Sequence, residues 1–444
     1  MKHLADQNLF KTKAYINGQW VESAEEKKFD VTNPYDGSVI ACVSDLSSSQ
    51  ANQAIESAHK AFENWRTKTA DERAHFLMCW HNLMMANQDD LAIIMTTEQG
   101  KPLQESKGEI AYAASFIKWF AEEGRRVYGD ILPSDNADSR ILVLKQPVGV
   151  CAAITPWNFP SAMITRKAAA ALAAGCSIVI KPAEDTPLSA LALAELADQA
   201  GIPEGVLNIV TSSDSKTIGD VLTSHELVRK VTFTGSTEVG RILMRQSADS
   251  IKKISLELGG NAPFIVFDDA DLESAIDGAL ACKFRNGGQT CVCANRFFVQ
   301  AGIYDQFVDG LKEKVKNLNA GDGFAKDTDI GPMINRRAVD KVVDHITDAL
   351  TKGASLKTGS KSAEEASNLF QATLLSDMTP DMKIMKEETF GPVAPVFKFH
   401  NEDEALHLAN DTKYGLASYA YTNDLSRVWR VLEGLEYGMV AINR

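Results

Sequence analysis

Residues 148–185 read VGVCAAITPWNFPSAMITRKAAAALAAGCSIVIKPAED. Two short apolar runs, VGVCAAI at 148–154 and SIVI at 177–180, flank an alanine-rich stretch that ends near Ala174. The runs have the length of buried strands, and the stretch between them has the length of a helix. A strand, a helix and a second strand in this order predict a parallel pair, because parallel strands need a crossover connection.

The same alternation continues along the chain and predicts a parallel sheet with helices on both faces. Ligands of such sheets bind beyond the carboxyl ends of the strands. A second α/β run occupies 263–444, so we expect two such domains to face each other across a cleft. The further elements expected in the first run are a helix at 188–200, the strand VLNIV at 206–210, a helix near 215–223, the strand VTF at 231–233 and a helix from about 237.

The first third of the chain is predicted to be mostly helical. Apolar residues recur at helical spacing after the cap signals at Ser47–Ser49, and further helices are expected at about 71–88 and 102–124. Gly129–Lys145 alternates in the manner of an extended hairpin.

Composition excludes several classes of protein. With 45% hydrophobic and 24% charged residues, the 444-residue chain is typical of a folded globular protein. A net charge of −13 opposes binding to a nucleic-acid backbone, and no apolar stretch has the length of a membrane span. The N-terminus lacks the apolar region of a secretory signal, and the seven cysteines are an odd number, mostly in apolar segments. We therefore expect a cytoplasmic protein with neither nucleic acid nor membrane as partner.

Two segments at predicted strand ends are candidates for nucleotide contacts, although no G-x-G-x-x-G motif is present. In FTGSTEVG at 233–240, Gly235 permits close approach of a ligand and Ser236 offers a hydroxyl at a helix N-terminus. A structural helix cap is the alternative. In KPAED, Lys181 and Glu184 could bind ribose hydroxyls, or they could be solvated loop charges.

Two further segments carry reactive groups. QTCVCAN at 289–295 places Cys291 and Cys293 in a polar loop, where a thiol can become a reactive thiolate. No metal site is expected, because no second cysteine pair exists and the histidines are scattered. In LELGGNAP, Glu257 ends an apolar strand, so we expect desolvation to raise its pKa toward that of a general base. A buried salt bridge is the alternative.

Six motifs, taken together in this order and spacing, resemble the aldehyde dehydrogenase superfamily over essentially the whole chain. Within it, residues 164–197 and 283–295 look most like succinate-semialdehyde dehydrogenases. The motifs are TPWNFP (155–160), KPAEDTP (181–187), FTGST (233–237), LELGG (256–260), GQTCVCAN (288–295) and EETFGPV (387–393).

The resemblance implies a catalytic cysteine, Cys291, that attacks an aldehyde to give a thiohemiacetal. The Asn158 side chain and the Cys291 backbone N–H match the oxyanion hole, and Glu257 matches the general base that hydrolyses the thioester. The resemblance implies NAD as cofactor, with NADP possible. The cofactor contacts that it implies are Trp157, Lys181, Glu184, Gly235, Ser236, Glu388 and Phe390.

The resemblance also implies the substrate and a regulatory thiol. Arg166 and Arg285 match two arginines that bind the substrate carboxylate, surface salt bridges being the alternative. Cys293 matches a second cysteine that closes a disulfide with Cys291 and stops turnover, or it is a packing residue. Such a bridge needs Cα atoms roughly 4.4–6.8 Å apart, so the loop must leave the extended conformation.

The fold class expected from the resemblance is α/β, with a Rossmann-type NAD(P)-binding domain at 1–124 and 148–258, a β-hairpin oligomerisation arm at 125–147 and an α/β catalytic domain at 259–444. The family pattern continues beyond this sequence with a C-terminal tail. The expected reaction is oxidation of succinate semialdehyde to succinate by a homodimer or homotetramer. The alternative is a glutarate-semialdehyde dehydrogenase or an aldehyde dehydrogenase of broader specificity. A non-catalytic binding or scaffold protein of the same fold is the alternative of another class.

Overall fold

The computed structural model describes residues 4–364 and 367–444, so the first three residues of the N-terminal segment lie outside the description. The chain divides into two compact units. The first unit comprises Met1–Thr32, Ser38–Gln99 and Ser106–Glu257, and the second comprises Asn33–Gly37, Gly100–Glu105 and Leu258–Arg444. Within the described residues, no helix is long and apolar enough to cross a membrane.

The first unit is built around a seven-stranded sheet of order β11-β10-β7-β8-β9-β1-β2. Strands β7 to β11 are mutually parallel, as the alternation in the sequence predicts. The strands of this unit are β1 (Ala14–Ile16), β2 (Gln19–Val21), β3 (Lys28–Thr32), β4 (Val39–Ser44), β5 (Asp130–Leu132), β6 (Ile141–Val143), β7 (Val150–Ile154), β8 (Ser177–Lys181), β9 (Leu207–Ile209), β10 (Val228–Thr234) and β11 (Lys253–Glu257).

Strands β1 and β2 were not expected from the sequence. They form an antiparallel hairpin that extends the sheet through a contact of β1 with β9. Each has three residues, too few for an alternating pattern to be recognised. The hairpin β5–β6 forms where it was predicted, and all six of its strand residues are exposed.

Helices cover the faces of this sheet, largely where the sequence predicts them. The predicted helix at 71–88 is in fact followed at once by a second helix that the sequence reading missed, because only Asn87 departs from helical geometry between them. The helices are α1 (Ser48–Trp65), α2 (Ala70–Ala86), α3 (Gln88–Gln99), α4 (Leu103–Glu123), α5 (Ala162–Ala173), α6 (Pro187–Gln199), α7 (Ser215–Ser224) and α8 (Thr237–Ala248).

Two buried tryptophans connect α1 to α5 and α2 to α6. The indole N–H of Trp65 donates to the Leu172 carbonyl at 3.1 Å, and that of Trp80 donates to the Leu193 carbonyl at 3.1 Å. Each indole thus satisfies its polar atom inside the core while the ring fills volume there. These hydrogen bonds therefore hold α5 against α1 and α6 against α2.

The second unit contains a seven-stranded sheet of order β14-β15-β16-β13-β12-β17-β18, parallel except for the edge strand β14. It is the second α/β run that the sequence predicts. Its elements are β12 (Ala262–Val266), α9 (Leu272–Phe284), β13 (Ala294–Gln300), α10 (Tyr304–Lys316), α11 (Arg336–Thr351), β14 (Ser355–Thr358), β15 (Thr373–Met378), α12 (Lys383–Lys386), β16 (Val393–Phe399), α13 (Glu402–Asn410), β17 (Ala417–Tyr421), α14 (Leu425–Gly434) and β18 (Met439–Ile442).

Candidate active site

The segment between β7 and α5 holds the candidate oxyanion residue, Asn158. The backbone N–H of Thr155 donates to the Lys181 carbonyl at 3.1 Å, which fixes the segment beside the end of β8. Asn158 is buried and Trp157 is half-buried. The side-chain amide of a buried asparagine in a short, anchored loop is suited to donate a hydrogen bond at a fixed position.

Glu109 on α4 holds the far end of this loop. Its Oε1 accepts hydrogen bonds from the backbone N–H groups of Ser161 at 3.0 Å and Ala162 at 3.2 Å. Helix α5 has no side-chain cap of its own, so this buried carboxylate satisfies amides that the helix cannot. The sequence reading missed Glu109. Its signal was an acidic residue one turn before Ala113, on the apolar face of α4.

Arg166 lies on the first turns of α5, half-buried, with its guanidinium 5.0 Å from the centre of the Phe116 ring. Its other contact is a 4.0 Å approach of Nη1 to the Met163 sulfur. Among the described residues no carboxylate forms an ion pair with Arg166. The surface salt bridge that was the alternative reading is therefore not formed.

Lys181 and Glu184 come together immediately after β8. Lys181 is only 2% exposed, and its Nζ donates to Glu184 Oε2 at 3.1 Å and to the Ser215 hydroxyl at 2.6 Å. The alternative of solvated loop charges is therefore wrong for Lys181. Burial works to raise the pKa of Glu184, but the nearby ammonium and its hydrogen bonds outweigh burial and lower that pKa. Glu184 is therefore ionised at neutral pH and can accept hydrogen bonds.

Four helices, α5 to α8, follow the parallel strands β7 to β10, and their N-terminal caps indicate which one is the candidate phosphate site. Helix α5 is capped by Glu109, α6 by both oxygens of the buried Glu98 at 2.8 Å, and α7 by Asp214. Helix α8 alone among the four has a neutral cap, the exposed Ser236, whose hydroxyl accepts from Val239 N–H at 3.3 Å. At the other three N-termini the amides are already bonded to acidic side chains, so α8, with Glu238 in its first turn and an amide bonded only to a hydroxyl, is the best candidate.

Gly235 precedes this cap and is fixed by packing. A Cβ at this position would lie 2.4 Å from the edge of the Phe233 ring, so no larger residue fits. Its N–H donates to the Glu257 carbonyl at 3.0 Å, which joins the ends of β10 and β11. The serine hydroxyl keeps its proton available while it accepts as a cap.

Glu257 differs from the expectation. It ends β11, the edge strand of the sheet, in which the residues alternate between exposed and half-buried, and its side chain is exposed. The expectation of a desolvated carboxylate is wrong, because an edge strand has a neighbour on one side only. The buried salt bridge is excluded by the same exposure.

In the second unit, Cys291 lies in a turn between α9 and β13 and is half-buried. A Cβ on Gly260 would lie 2.1 Å from the Cys291 carbonyl oxygen, and one on Gly259 would lie 2.7 Å from Glu388 Oε2. Both glycines of LELGG are therefore required for the close approach of three chain segments. Gly260 N–H donates to Glu388 Oε1 at 2.9 Å, so Glu388 and the cysteine loop are held by one glycine pair.

Burial raises the pKa of Glu388 to about 7, against the lowering effect of its Gly260 hydrogen bond. Phe390, two residues on, has a positive φ of 55°, which few non-glycine residues adopt. The chain thus turns sharply between Glu388 and Gly391. A Cβ on Gly288 would meet the Gly391 carbonyl at 2.2 Å, so this turn packs directly on the loop before Cys291.

Arg285 opens that loop and is exposed. The next residue, Asn286, has a left-handed backbone, with φ 51°, and its N–H donates to Glu105 Oε2 at 2.9 Å. The backbone therefore changes direction directly after Arg285, at the start of the loop that leads to Cys291.

Cys293 is buried, with 6% of its surface exposed. Its Sγ lies 3.3 Å from the Gly288 carbonyl and 3.9 Å from the buried Lys283 ammonium, and burial raises its pKa. Its backbone N–H donates to the Thr290 carbonyl at 3.1 Å, so the segment turns and is not extended.

The described residues contain no cluster of side chains that could hold a metal ion.

One further buried cation escaped the sequence reading. Lys167 on α5 donates from Nζ to the Thr234 hydroxyl at 2.6 Å, which links α5 to the end of β10. A lysine nine residues after Asn158, in an otherwise alanine-rich helix, was the available signal.

Three relatives and one solved structure place these features in a family. The chain is 58% identical to the succinate-semialdehyde dehydrogenase [NADP(+)] of Escherichia coli over 440 residues, 99% of this chain and 91% of that protein. It is 57% identical to the glutarate-semialdehyde dehydrogenase of Pseudomonas aeruginosa, with the same coverage. It is 54% identical to the 3-sulfolactaldehyde dehydrogenase of Pseudomonas putida, over 100% of this chain and 91% of that protein.

The crystal structure of succinate-semialdehyde dehydrogenase from Burkholderia pseudomallei superposes with a TM-score of 0.98 at 56% identity. The alignment covers 99% of this chain and 91% of that one. The α/β fold with a Rossmann-type unit and an α/β catalytic unit is thereby confirmed. The model of the aldehyde dehydrogenase family matches residues 20–444. The chain therefore belongs to the aldehyde dehydrogenase family.

Proposed function

We propose that this enzyme oxidises succinate semialdehyde to succinate with NAD(P), using Cys291 as nucleophile. The observation that carries the substrate class is Arg166, a half-buried guanidinium that no carboxylate of the described residues pairs with. Such a cation is suited to bind an anionic group of a ligand. The three relatives named above are named for aldehydes that carry a distal carboxylate or sulfonate.

In the first step, the Cys291 thiolate attacks the aldehyde carbon, forming the carbon–sulfur bond of a thiohemiacetal. The carbonyl oxygen gains negative charge as its double bond opens. We assign the Asn158 side-chain amide and the Cys291 backbone N–H as donors to this oxygen. The loop that carries Asn158 is anchored by Glu109, so the amide is positioned before substrate binds.

Bound NAD(P) supplies the acceptor for the hydride that leaves the thiohemiacetal carbon. Loss of that hydride leaves a thioester on Cys291. We assign Glu257 to remove a proton from water, whose oxygen then attacks the thioester carbon and releases the acid and the thiolate. The exposure of Glu257 suits this task, because a base that activates water must have access to it.

The donor sets in the two units fit a dinucleotide. Lys181 and Glu184 offer a donor and an acceptor for ribose hydroxyls at the carboxyl end of β8, and Ser236 offers a hydroxyl at a neutrally capped helix. Glu388 offers a carboxyl held by Gly260, and we assign it with Phe390 to the nicotinamide ribose. Trp157 and Gly235 are assigned as further contacts of the cofactor in the first unit.

Arg166 and Arg285 are assigned to the distal carboxylate. Glutarate semialdehyde is the second candidate, because a relative at 57% identity is named for it. One methylene changes binding in a pocket by only about 1–3 kcal/mol, so the two substrates are separated by measurement and not by residue type.

The exposed apolar hairpin β5–β6 supports a homo-oligomer, either a dimer or a tetramer, because an unpaired strand edge favours pairing with another chain. None of the seven cysteines forms a disulfide in the structure, which supports a reducing, cytoplasmic setting.

The test is the initial rate of NADH or NADPH formation with succinate semialdehyde, glutarate semialdehyde and butanal. We expect the two semialdehydes to exceed butanal by at least about tenfold in kcat/KM, the value of one charge-assisted bond. Cys291→Ala should abolish turnover while circular dichroism and thermal unfolding remain unchanged. A parent protein that binds NAD but turns over none of the aldehydes would favour the non-catalytic alternative.

A further inference from the structure

A cavity of about 410 Å³ in the first unit is lined by three cationic side chains that the catalytic reaction does not use. They are Arg66 after α1, Arg73 on α2 and Lys145 at the base of the hairpin arm. Ala174, at the C-terminal end of α5, also lines the cavity. The catalytic loop lies at the opposite end of this helix, about 18 Å away along a twelve-residue rise.

None of these three cations forms an ion pair among the described residues. Arg66 stacks its guanidinium 5.3 Å from the Phe62 ring centre. Arg73 donates from Nε to the Ala173 carbonyl at 3.0 Å and from Nη1 to the Lys68 carbonyl, so its bonded partners are neutral. Two acidic groups, Cys176 and Glu72, act on Arg73 through charge only, and the Glu72 carboxylate accepts its hydrogen bonds from Thr69.

The cavity gathers three cations without an anionic partner in a chain with a net charge of −13. Some other surface cations pair with carboxylates, as Arg125 does with Asp71 and Lys107 with Asp89. Desolvation lowers the pKa of Arg73 by more than nearby Cys176 and Glu72 raise it. An anion in the cavity would offset this desolvation.

We propose that this cavity is a second binding site, for the phosphate group of a small phosphorylated metabolite. Guanidinium groups match the oxygens of a phosphate through paired N–H donors, and an ammonium adds a mobile charge. Gln146 contributes a neutral amide to the same wall. The volume holds a phosphate group and a small organic group attached to it.

Binding at this site acts on the arm. Arg66 and Arg73 belong to the helical body, whereas Lys145 and Gln146 belong to the strand-side base of the hairpin. A phosphate held between them joins the two segments. The ligand therefore stabilises the arm in its observed position relative to the body of the first unit.

The experiment is isothermal titration of the full-length protein with inorganic phosphate, with ionic strength held constant by sodium chloride and saturating NAD present. NAD blocks the phosphate subsites of the cofactor site. The variants are Arg66→Gln and Lys145→Gln, which remove one exposed charge each. Lys60→Gln is the matched control, an exposed lysine on α1 outside the cavity.

We expect saturable phosphate binding in the parent and in Lys60→Gln, weakened roughly fivefold or more in each cavity variant. Hydrogen exchange of residues 128–145 should slow on addition of phosphate in the parent and in Lys60→Gln, and less in the two cavity variants. Absence of saturable binding, or equal binding in the parent and both cavity variants, would overturn the proposal. These outcomes are independent of aldehyde turnover, so the site and the proposed reaction are tested separately.

Discussion

Replacing Arg166 with alanine tests the proposed substrate class directly. The structure predicts that this change leaves the fold intact. Arg166 has no carboxylate partner among the described residues, so its removal leaves no buried charge unpaired, and the contact with the Phe116 ring is worth about 0.5–1 kcal/mol. We therefore expect the free energy of unfolding to fall by about 1 kcal/mol at most.

The effect on catalysis should be larger and selective. A charge-assisted hydrogen bond contributes about 1.5–3 kcal/mol, which corresponds to a loss of about 10- to 150-fold in kcat/KM for succinate semialdehyde. Butanal has no carboxylate, so its kcat/KM should change less than about threefold by the same reasoning. Arg166→Lys keeps the charge but loses the paired donors, and its kcat/KM should fall between the parent and the alanine variant.

The assay is the steady-state rate of cofactor reduction with both aldehydes, beside urea unfolding of each variant. Arg337→Ala, an exposed arginine of α11 without an ion pair in the structure, is the control for loss of one positive charge. Equal losses with succinate semialdehyde and butanal would refute the reasoning, because they would give Arg166 a structural role only.

Three further predictions follow from other contacts. Glu98→Gln can retain only one of the two bonds that cap α6, so the free energy of unfolding should fall by about 1–3 kcal/mol in chemical denaturation. Burial raises the pKa of Glu98 to about 8, so the native state binds the extra proton and parent stability should decline as pH rises from 5 to 8. A variant that keeps this slope would show that another group causes it. Glu184 is ionised and would repel a 2′-phosphate, so the parent should prefer NAD, and Glu184→Ser should raise kcat/KM with NADP; a parent equally active with NADP would contradict this. After mild peroxide treatment and dithiothreitol, the parent should recover activity while Cys293→Ala should not; identical recovery of both would assign Cys293 to packing.

The fold was largely predictable because its signals are local. The strands and helices between 148 and 248 follow from apolar runs, alanine-rich stretches and cap residues, each read within a few neighbouring positions. The hairpin β1–β2 was not predictable, because three-residue strands carry no period and their place in the sheet depends on β9, nearly two hundred residues away in the chain. Pairing at that distance is a tertiary property.

The residues of the candidate site could be proposed from the sequence, but their burial and neighbours could not. The motifs supplied Cys291, Glu257 and Asn158 as candidates, yet the predicted burial of Glu257 was wrong. Burial depends on which strand lies at the edge of a sheet and which loop packs on another. An apolar strand such as β11 has the same local sequence whether it is central or at an edge.

The sequence by itself determined the order of elements, the family and the chemical groups available for the reaction, because these depend on residue type and spacing. Only the tertiary structure decided what surrounds each group. It brought Glu109 to the loop of Asn158, bonded the buried Lys181 to Ser215, and required glycine beside Cys291. These contacts join segments far apart in the chain. The packing of each sheet with its own helices fixes them, not any local preference of the backbone.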